Sequence, residues 1–380
     1  MHKQCILHSA ESSVVRLNKL NLLYVVRRYG PVGGMERYVW ELTLQLQQLG
    51  HRVTVLCERC HAEKPEGITI VELGEIVQRP RWLAALRFDR RVMCWLAKNP
   101  QAHSLIHSHE RISAHDITTF HSSPFATVLG KPWWKIISLR VAMHLFLEKR
   151  ELSNARCIVP NSQIIKQQLI HYYPQFQHKL TEPIMPGVVT RFQRVRRSVP
   201  TDGGVIGFVG KEWKRKGLTI AVAIVKKLRL TRPNLQFFVI GPNINEVKHL
   251  FADWKDGYVL KGWEDQADFA EFDVLLHPAK AEPYGMVISE AMAAKVPVVI
   301  SDVCGASAHV TATAGDILSL NAPIDVWVSA LEHQLRRTEN VPQFERSWLK
   351  VAQEYESRWR SMGDKQDTKG CTEYALNGIA

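Results

Sequence analysis

Several absences narrow the class of this 380-residue chain before any motif is read. Cysteine is too sparse and irregular for a disulfide framework: there are seven, an odd number without framework spacing, which fits a reducing compartment, the cytoplasm. No stretch reaches the roughly 18 consecutive apolar residues that span a bilayer. The start, "MHKQCILHSAESSVVRLNKL", lacks the continuous apolar core and small-residue cleavage site of a secretory signal. Neither export nor an integral span is expected. Asp-x-Asp is absent, and "CERC" (Cys57 to Cys60) has no second Cys pair to complete a zinc site. There is no helix-turn-helix, zinc-finger or RNA-sheet signature, so basicity is the only feature favouring nucleic acid. Acid is scarce in the first half: residues 1–190 carry 24 Lys and Arg against 14 Asp and Glu, and the remainder 25 against 23. The formal net charge of +12 therefore lies mostly in that half, pointing to an anionic partner: phosphorylated substrate, acidic lipid or nucleic acid.

What is present is an alternation of short apolar runs and helical periods. The length predicts two domains of about 100 to 200 residues. "NLLYVV" precedes a helix whose apolar positions Met35, Tyr38, Val39, Leu42, Leu46 and Leu49 keep a 3.6-residue period until Gly50. "VTVLC", "ITIVEL", "SLIH", "DITTF" and "CIVP" continue the series, the last leading into a helix at Asn161 or Ser162. This is the rhythm of a parallel sheet covered by helices. It restarts at "VIGFVG" and runs through a helix from Leu218, "LQFFVIG", a helix near Asn245 to Trp254, "YVLKG", a short acidic helix, "DVLLHP", a helix bearing Glu290, and "PVVIS". The predicted division is a Rossmann-like domain over 1–190, a linker over 191–204, and a second Rossmann-like domain over 205–344. A helix of about 345–362, with Trp348, Val351, Ala352, Tyr355, Trp359 and Met362 on one face, returns to the first domain. Residues 363–380 have little to bury and read as a mobile tail. Ligands of such folds lie beyond the C-terminal ends of the strands, here in the cleft between domains.

"AEPYGMVISEAMAAKVPVVIS" carries the main chemical signal. Glu282 follows a strand, Glu290 lies eight positions on inside a helix, and the helix begins at Gly285 and Met286, whose region offers free backbone N–H groups to an anion such as a diphosphate. Carboxylates beside an anion site make sense if they accept hydrogen bonds from sugar hydroxyls. Upstream, "GKEWKRKG" places Lys211, Arg215 and Lys216 between a strand and a helix, where a phosphate clamp belongs. "GPVGG", with Gly33 and Gly34, lacks the Gly-x-Gly-x-x-Gly dinucleotide spacing; its place after the first strand is what supports a binding role. His107 and His109 alternate on a strand, so one should pack and the other reach the cleft.

"EPYGMVISE" resembles the Glu-x7-Glu motif of glycosyltransferase family 4, retaining enzymes of the two-domain GT-B fold, an α/β class. The likeness extends over nearly the whole chain: "YGPVGGMERYVWELTLQLQQLGHRVTVLCE", "LIHSHERISAHDITTFHSS", "CIVPNSQIIKQQL" and "GKEWKRKG" resemble the family's glycine-rich loop, paired histidine segments, serine-ended strand and phosphate clamp. "LLHPAKAEPYGMVISEAMAAKVPVVISDVCG" is most similar to the subgroup that adds glucose to the lipopolysaccharide inner core. The resemblance implies that Glu290 binds ribose hydroxyls and Glu282 the donor sugar, that Arg215 and Lys216 contact the diphosphate with Gly33 and Gly34 opposite, and that His121 sits near the reacting carbon. It implies no bound metal or cofactor, the cations standing in for Mg²⁺, and a nucleoside-diphosphate sugar, UDP-glucose, as donor. Two departures stand out: Lys211 replaces the usual Arg, losing a planar fork that Arg215 could supply, and "MPGVV" replaces Pro-Asn-Gly-Val-Asp at the domain junction.

Two basic, aromatic stretches remain, "QRPRWLAALRFDRRVMCWLAK" and "KPWWKIISLRVAMHLFLEKRE". The second is too short to span a bilayer and fits either a buried helix or one lying among headgroups. With the basic first half, the expected partners are a nucleotide sugar, a lipopolysaccharide-core glycolipid and the anionic inner face of the cytoplasmic membrane, without nucleic acid. Transfer of mannose, galactose or N-acetylhexosamine to another glycan is the alternative enzyme, and a non-enzymatic basic binding protein the alternative class.

Overall fold

The computed structural model describes residues 19–100, 103–189, 193–195, 198–264 and 267–376, with side chains through Met362. The first domain contains strands β1 (Asn21–Val25), β2 (Arg28–Tyr29), β3 (Arg52–Cys57), β4 (Arg59–Cys60), β5 (Ile68–Glu72), β6 (Leu105–Ser108), β7 (Ile117–Phe120) and β8 (Cys157–Pro160). Six of them form a parallel sheet in the order β5-β3-β1-β6-β7-β8, while β2 and β4 pair separately. Its helices are α1 (Gly34–Gln48), α2 (Arg81–Lys98), α3 (Leu139–Asn154) and α4 (Gln163–Tyr172). The alternation of side chains along a strand explains the two-sided cover. Leu22 and Tyr24 of β1 pack with Tyr38, Val39 and Leu42 of α1, whereas Leu23 and Val25 pack with Phe88 and Val92 of α2.

In the second domain α5 (Leu218–Leu228), α6 (Ile244–Val247), α7 (Met286–Ala293) and α8 (Ile324–Leu335) cover strands β9 (Val205–Val209), β10 (Gln236–Ile240), β11 (Tyr258–Gly262), β12 (Val274–His277), β13 (Val298–Ser301) and β14 (Gly315–Leu318). This sheet is also parallel, in the order β11-β10-β9-β12-β13-β14. Ile206 and Phe208 join α5 and α8, and Val209 joins the cluster of α7. Two Rossmann-like domains with apposed strand ends constitute the GT-B fold.

Helix α9 (Trp348–Leu376) crosses back to the first domain. Trp348, Val351, Ala352, Tyr355 and Trp359 lie in the same buried cluster as β1 and α1, and Trp348 packs where Gly187 leaves no Cβ to obstruct it. The helix starts at Trp348, three residues beyond the expected 345, and the side chains of 363–380 lie outside the described residues. So do 191, 192, 196 and 197 of the expected linker, in which Arg194 docks on the second domain through Asp273 at 2.9 Å.

Two sequence readings need correction. The helix expected near Asn245 to Trp254 is the short α6, capped by the Asn243 side chain, followed by a 3₁₀ turn at Lys248–Phe251. Together they cover Ile244–Phe251, three residues short of the expected end at Trp254. The acidic helix after β11 is reduced to a 3₁₀ turn, Phe269–Glu271, among the described residues. Strand β14 and helix α8 follow "PVVIS", beyond the elements named in the sequence.

Candidate active site

The two sheets direct their C-terminal strand ends toward one another across a cleft of about 940 Å³. Gly33, Gly34, His121, Lys211, Arg215, Lys216, Glu282, Gly285, Met286 and Glu290, the residues singled out in the sequence, all line it.

Glu282 is carried past the end of β12 and fixed by its backbone, whose carbonyl accepts from Gly305 N at 2.9 Å. Its side chain is 8% exposed and meets Lys216 Nζ at 3.2 Å, Arg215 Nη1 at 3.3 Å and His277 Nε2 at 3.3 Å. Burial alone would raise its pKa, but Lys216, His277 and Arg215 outweigh burial and hold the carboxyl well below the usual carboxylate range. The clamp residues reach it because of backbone geometry. Gly210 has φ of 153° and the Lys216 stem lies where its Cβ would stand; Gly217, at φ of 82°, turns the chain into α5 against the Pro278 carbonyl. Arg215 is braced by Glu212 at 2.6 Å and by the Ala281 carbonyl at 2.5 Å.

Glu290 projects from the first turns of α7, whose N-cap Gly285 has φ of 98°. Its carboxylate receives Arg37 Nη1 at 2.8 Å, an ion pair between α1 of one domain and α7 of the other. Burial raises its pKa, opposed by Arg37 and Lys216. The N-termini of α1, at Gly33, and α7, at Gly285, thus meet in the same cleft, and both favour negative charge there. Ser162, the N-cap of α4, ties the domains again by donating to the Pro283 carbonyl at 2.6 Å.

His121 follows β7 and is half-buried at the cleft wall. Its Nε2 lies 2.7 Å from His109 Nδ1, and Tyr38 presents an edge at 4.8 Å between ring centroids. Burial pushes its pKa down to about 3, so the ring is neutral at physiological pH. The expectation that one of His107 and His109 packs while the other reaches the cleft is corrected: residues two apart on a strand share a face, and both rings are buried there, stacked on each other. His109 stands behind the cleft wall, in contact with His121 and Tyr38, which line it. Lys211 extends toward the Trp263 ring, 5.6 Å from its centroid, rather than toward Glu282.

The sequence reading missed Arg28, Arg37, Arg81, Ser122, Ser123, Asn161 and Trp263, all of which line the cleft. A signal existed for Arg37, which lies one helical turn after Gly33, and for Ser122 and Ser123, which directly follow His121. Cys57 is buried, with its thiol pushed up to about 12 by burial, and among the described residues no group of three His, Cys, Asp or Glu could hold a metal ion.

Apposed Rossmann-like domains with a cationic clamp and acids facing the cleft between them define the GT-B class. Residues 32–192 match glycosyltransferase family 4, residues 203–337 match glycosyl transferases group 1, and the chain belongs to the family 4 glycosyltransferases. It is 24% identical over 362 residues to a D-inositol 3-phosphate glycosyltransferase of Corynebacterium kroppenstedtii, covering 80% of this chain and 77% of that one. A GDP-mannose-dependent alpha-mannosyltransferase of Mycolicibacterium smegmatis is 23% identical over 301 residues, covering 72% and 77%. Among solved structures, WaaG, a glycosyltransferase involved in lipopolysaccharide biosynthesis, superposes with a TM-score of 0.73 at 17% identity over 88% of this chain and 94% of that one. Anabaena HepE in complex with UDP and glucose gives 0.63 at 15% identity over 90% and 100%. At these identities the structural likeness is one of fold.

Proposed function

We propose that this glycosyltransferase moves glucose, with retention, from UDP-glucose to a lipopolysaccharide core or related glycolipid at the cytoplasmic face of the membrane. The observation that carries the reading is the ionised Glu282 held by Lys216 and Arg215, lining the same cleft as the Arg37 to Glu290 pair that bridges the domains. In this reading Glu282 accepts from hydroxyls of the donor sugar, and Glu290, released by Arg37, accepts from the ribose diol. Lys216, Arg215 and the two helix N-termini stabilise the charge that develops on the leaving diphosphate, so no metal is required for that role. The departing phosphate oxygen takes the acceptor proton, and His121 holds the sugar without acting as base. Gly33, Gly34, Gly285 and Met286 allow backbone to approach the diphosphate, while Lys211 and Trp263 flank the nucleoside end.

The outer surface supports a membrane-bound acceptor. Trp133, Trp134, Ile137, Leu139 and Phe146 are exposed, while Val141, Leu147 and Leu152 of α3 are buried, so this segment is neither wholly core nor wholly free. Lys131, Lys135 and Arg140 stand among the exposed aromatics, an arrangement suited to anionic headgroups. No described helix is long and apolar enough to cross a membrane. A screen of the purified protein against UDP-, GDP- and ADP-sugars, with and without EDTA, tests the donor. The reading expects UDP-glucose to be bound and consumed, insensitively to EDTA. A preference for GDP-mannose would move the function toward the mannosyltransferase relative, and failure to bind any nucleotide sugar would end the enzyme reading.

A further inference from the structure

The histidine pair behind the cleft wall has a directed hydrogen bond. His109 Nδ1 and His121 Nε2 face each other at 2.7 Å, and burial keeps both rings neutral. Each ring then carries one proton, and the contact admits two arrangements. Either His109 donates from Nδ1 and His121 is protonated on Nδ1, or His121 donates from Nε2 and His109 is protonated on Nε2. His109 Nε2 is buried and has no hydrogen-bond partner in the structure. The second arrangement therefore buries an orphan N–H, which proteins tolerate less readily than a bare acceptor, at a disadvantage of roughly five- to a hundredfold in population.

The neighbouring ring solves the same problem the same way. Tyr38 donates its hydroxyl proton to the Ile184 carbonyl at 3.3 Å, so the 2.9 Å contact is a donation from Tyr355 to Tyr38. Thr119 must then donate to Tyr355 at 2.7 Å, and His107 Nε2–H to Thr119 at 2.7 Å. That leaves His107 Nδ1 as the bare, buried, unpaired nitrogen. Its ring stacks on His109 with centroids 4.4 Å apart, and Tyr24 flanks both.

We propose that His109 is a positioning residue that locks His121 as the Nδ1–H tautomer, so that His121 presents a hydrogen-bond donor, and not a base, to the bound sugar. This rests on the proposal that the cleft takes a nucleotide sugar, but the lock itself belongs to the free protein. Nitrogen-15 spectra of the histidine side chains of the full chain, with His121 assigned by comparison with His121→Ala, read the tautomer directly. A protonated Nδ1 and a bare Nε2 on His121 are expected; a protonated Nε2 overturns the proposal. His109→Leu removes the lock and His109→Asn retains an N–H at the same place. With His109→Leu, kcat/KM for sugar transfer should fall roughly tenfold while UDP affinity holds, and His109→Asn should recover most of the loss. Equal kinetics in His109→Leu and the native protein, or a loss in His109→Leu that His109→Asn does not relieve, would count against it. If His109→Leu fails to fold, the native spectrum alone decides. If no nucleotide sugar binds yet the expected tautomer is seen, the functional proposal fails and the lock stands.

Discussion

At Glu282, burial and pairing oppose each other and pairing wins, leaving a charged acid that can accept from sugar hydroxyls. Glu282→Gln keeps the shape and removes the charge. It should lower kcat/KM in a UDP-release assay by roughly ten- to two-hundredfold, with UDP affinity unchanged or tighter because Lys216 and Arg215 lose their partner. A carboxyl with a depressed folded pKa stabilises above its unfolded pKa and loses that contribution as pH falls through the folded value, so Glu282 adds to instability only below about pH 4. Glu151 has the opposite sign. It is buried on α3, accepts from Thr118 at 2.6 Å, and burial pushes its pKa up to about 8. A raised carboxyl contributes its stability below the unfolded pKa and loses it as pH rises through the folded one, here between about pH 4.5 and 8. Glu151→Gln should therefore gain more Tm at pH 8.5 than at pH 5; an equal change at both would contradict the assignment.

At the scale of elements, α9 belongs to the first domain's core although it follows the second in sequence. Trp348→Ala should cost about 3–5 kcal/mol in urea unfolding and Tyr355→Phe about 0.5–1.5 kcal/mol, the latter by breaking the chain from Thr119 to Tyr38. The segment before α3 makes a separate prediction. Trp133→Ser with Trp134→Ser should weaken binding to vesicles of anionic phospholipid by roughly tenfold or more, without changing UDP-glucose affinity. Elements whose signal is local were legible in the sequence. The α9 stripe, the strand runs and the turn from "DVLLHP" into α7 each fit within a dozen or so residues, and the structure contains them at those places. The segment from Ile244 to Phe251 was misread because its apolar spacing suits an α-helix and a 3₁₀ turn alike. Arg37 was missed for a related reason: its partner Glu290 is 253 positions away, and nothing in the spacing of either residue announces the pair. His109 was seen but misplaced, since residues two apart on a strand share a face, and His107 and His109 pack there together.

Across the whole molecule, the formal +12 charge is borne mainly by the domain that also exposes the Trp133 and Trp134 pair. Vesicle binding should therefore weaken as salt rises, within the range where the Debye length falls from about 10 to 3 Å. The domains meet through Arg37 with Glu290 and Ser162 with the Pro283 carbonyl, both at the cleft. The account depends most on the division of labour between the two acids in that cleft, and calorimetry of UDP and UDP-glucose against Glu290→Ala and Glu282→Gln separates them. Glu290→Ala should weaken both ligands alike, whereas Glu282→Gln should leave UDP binding intact and erase the added affinity of the sugar. Unchanged binding of both ligands in both variants would contradict the account.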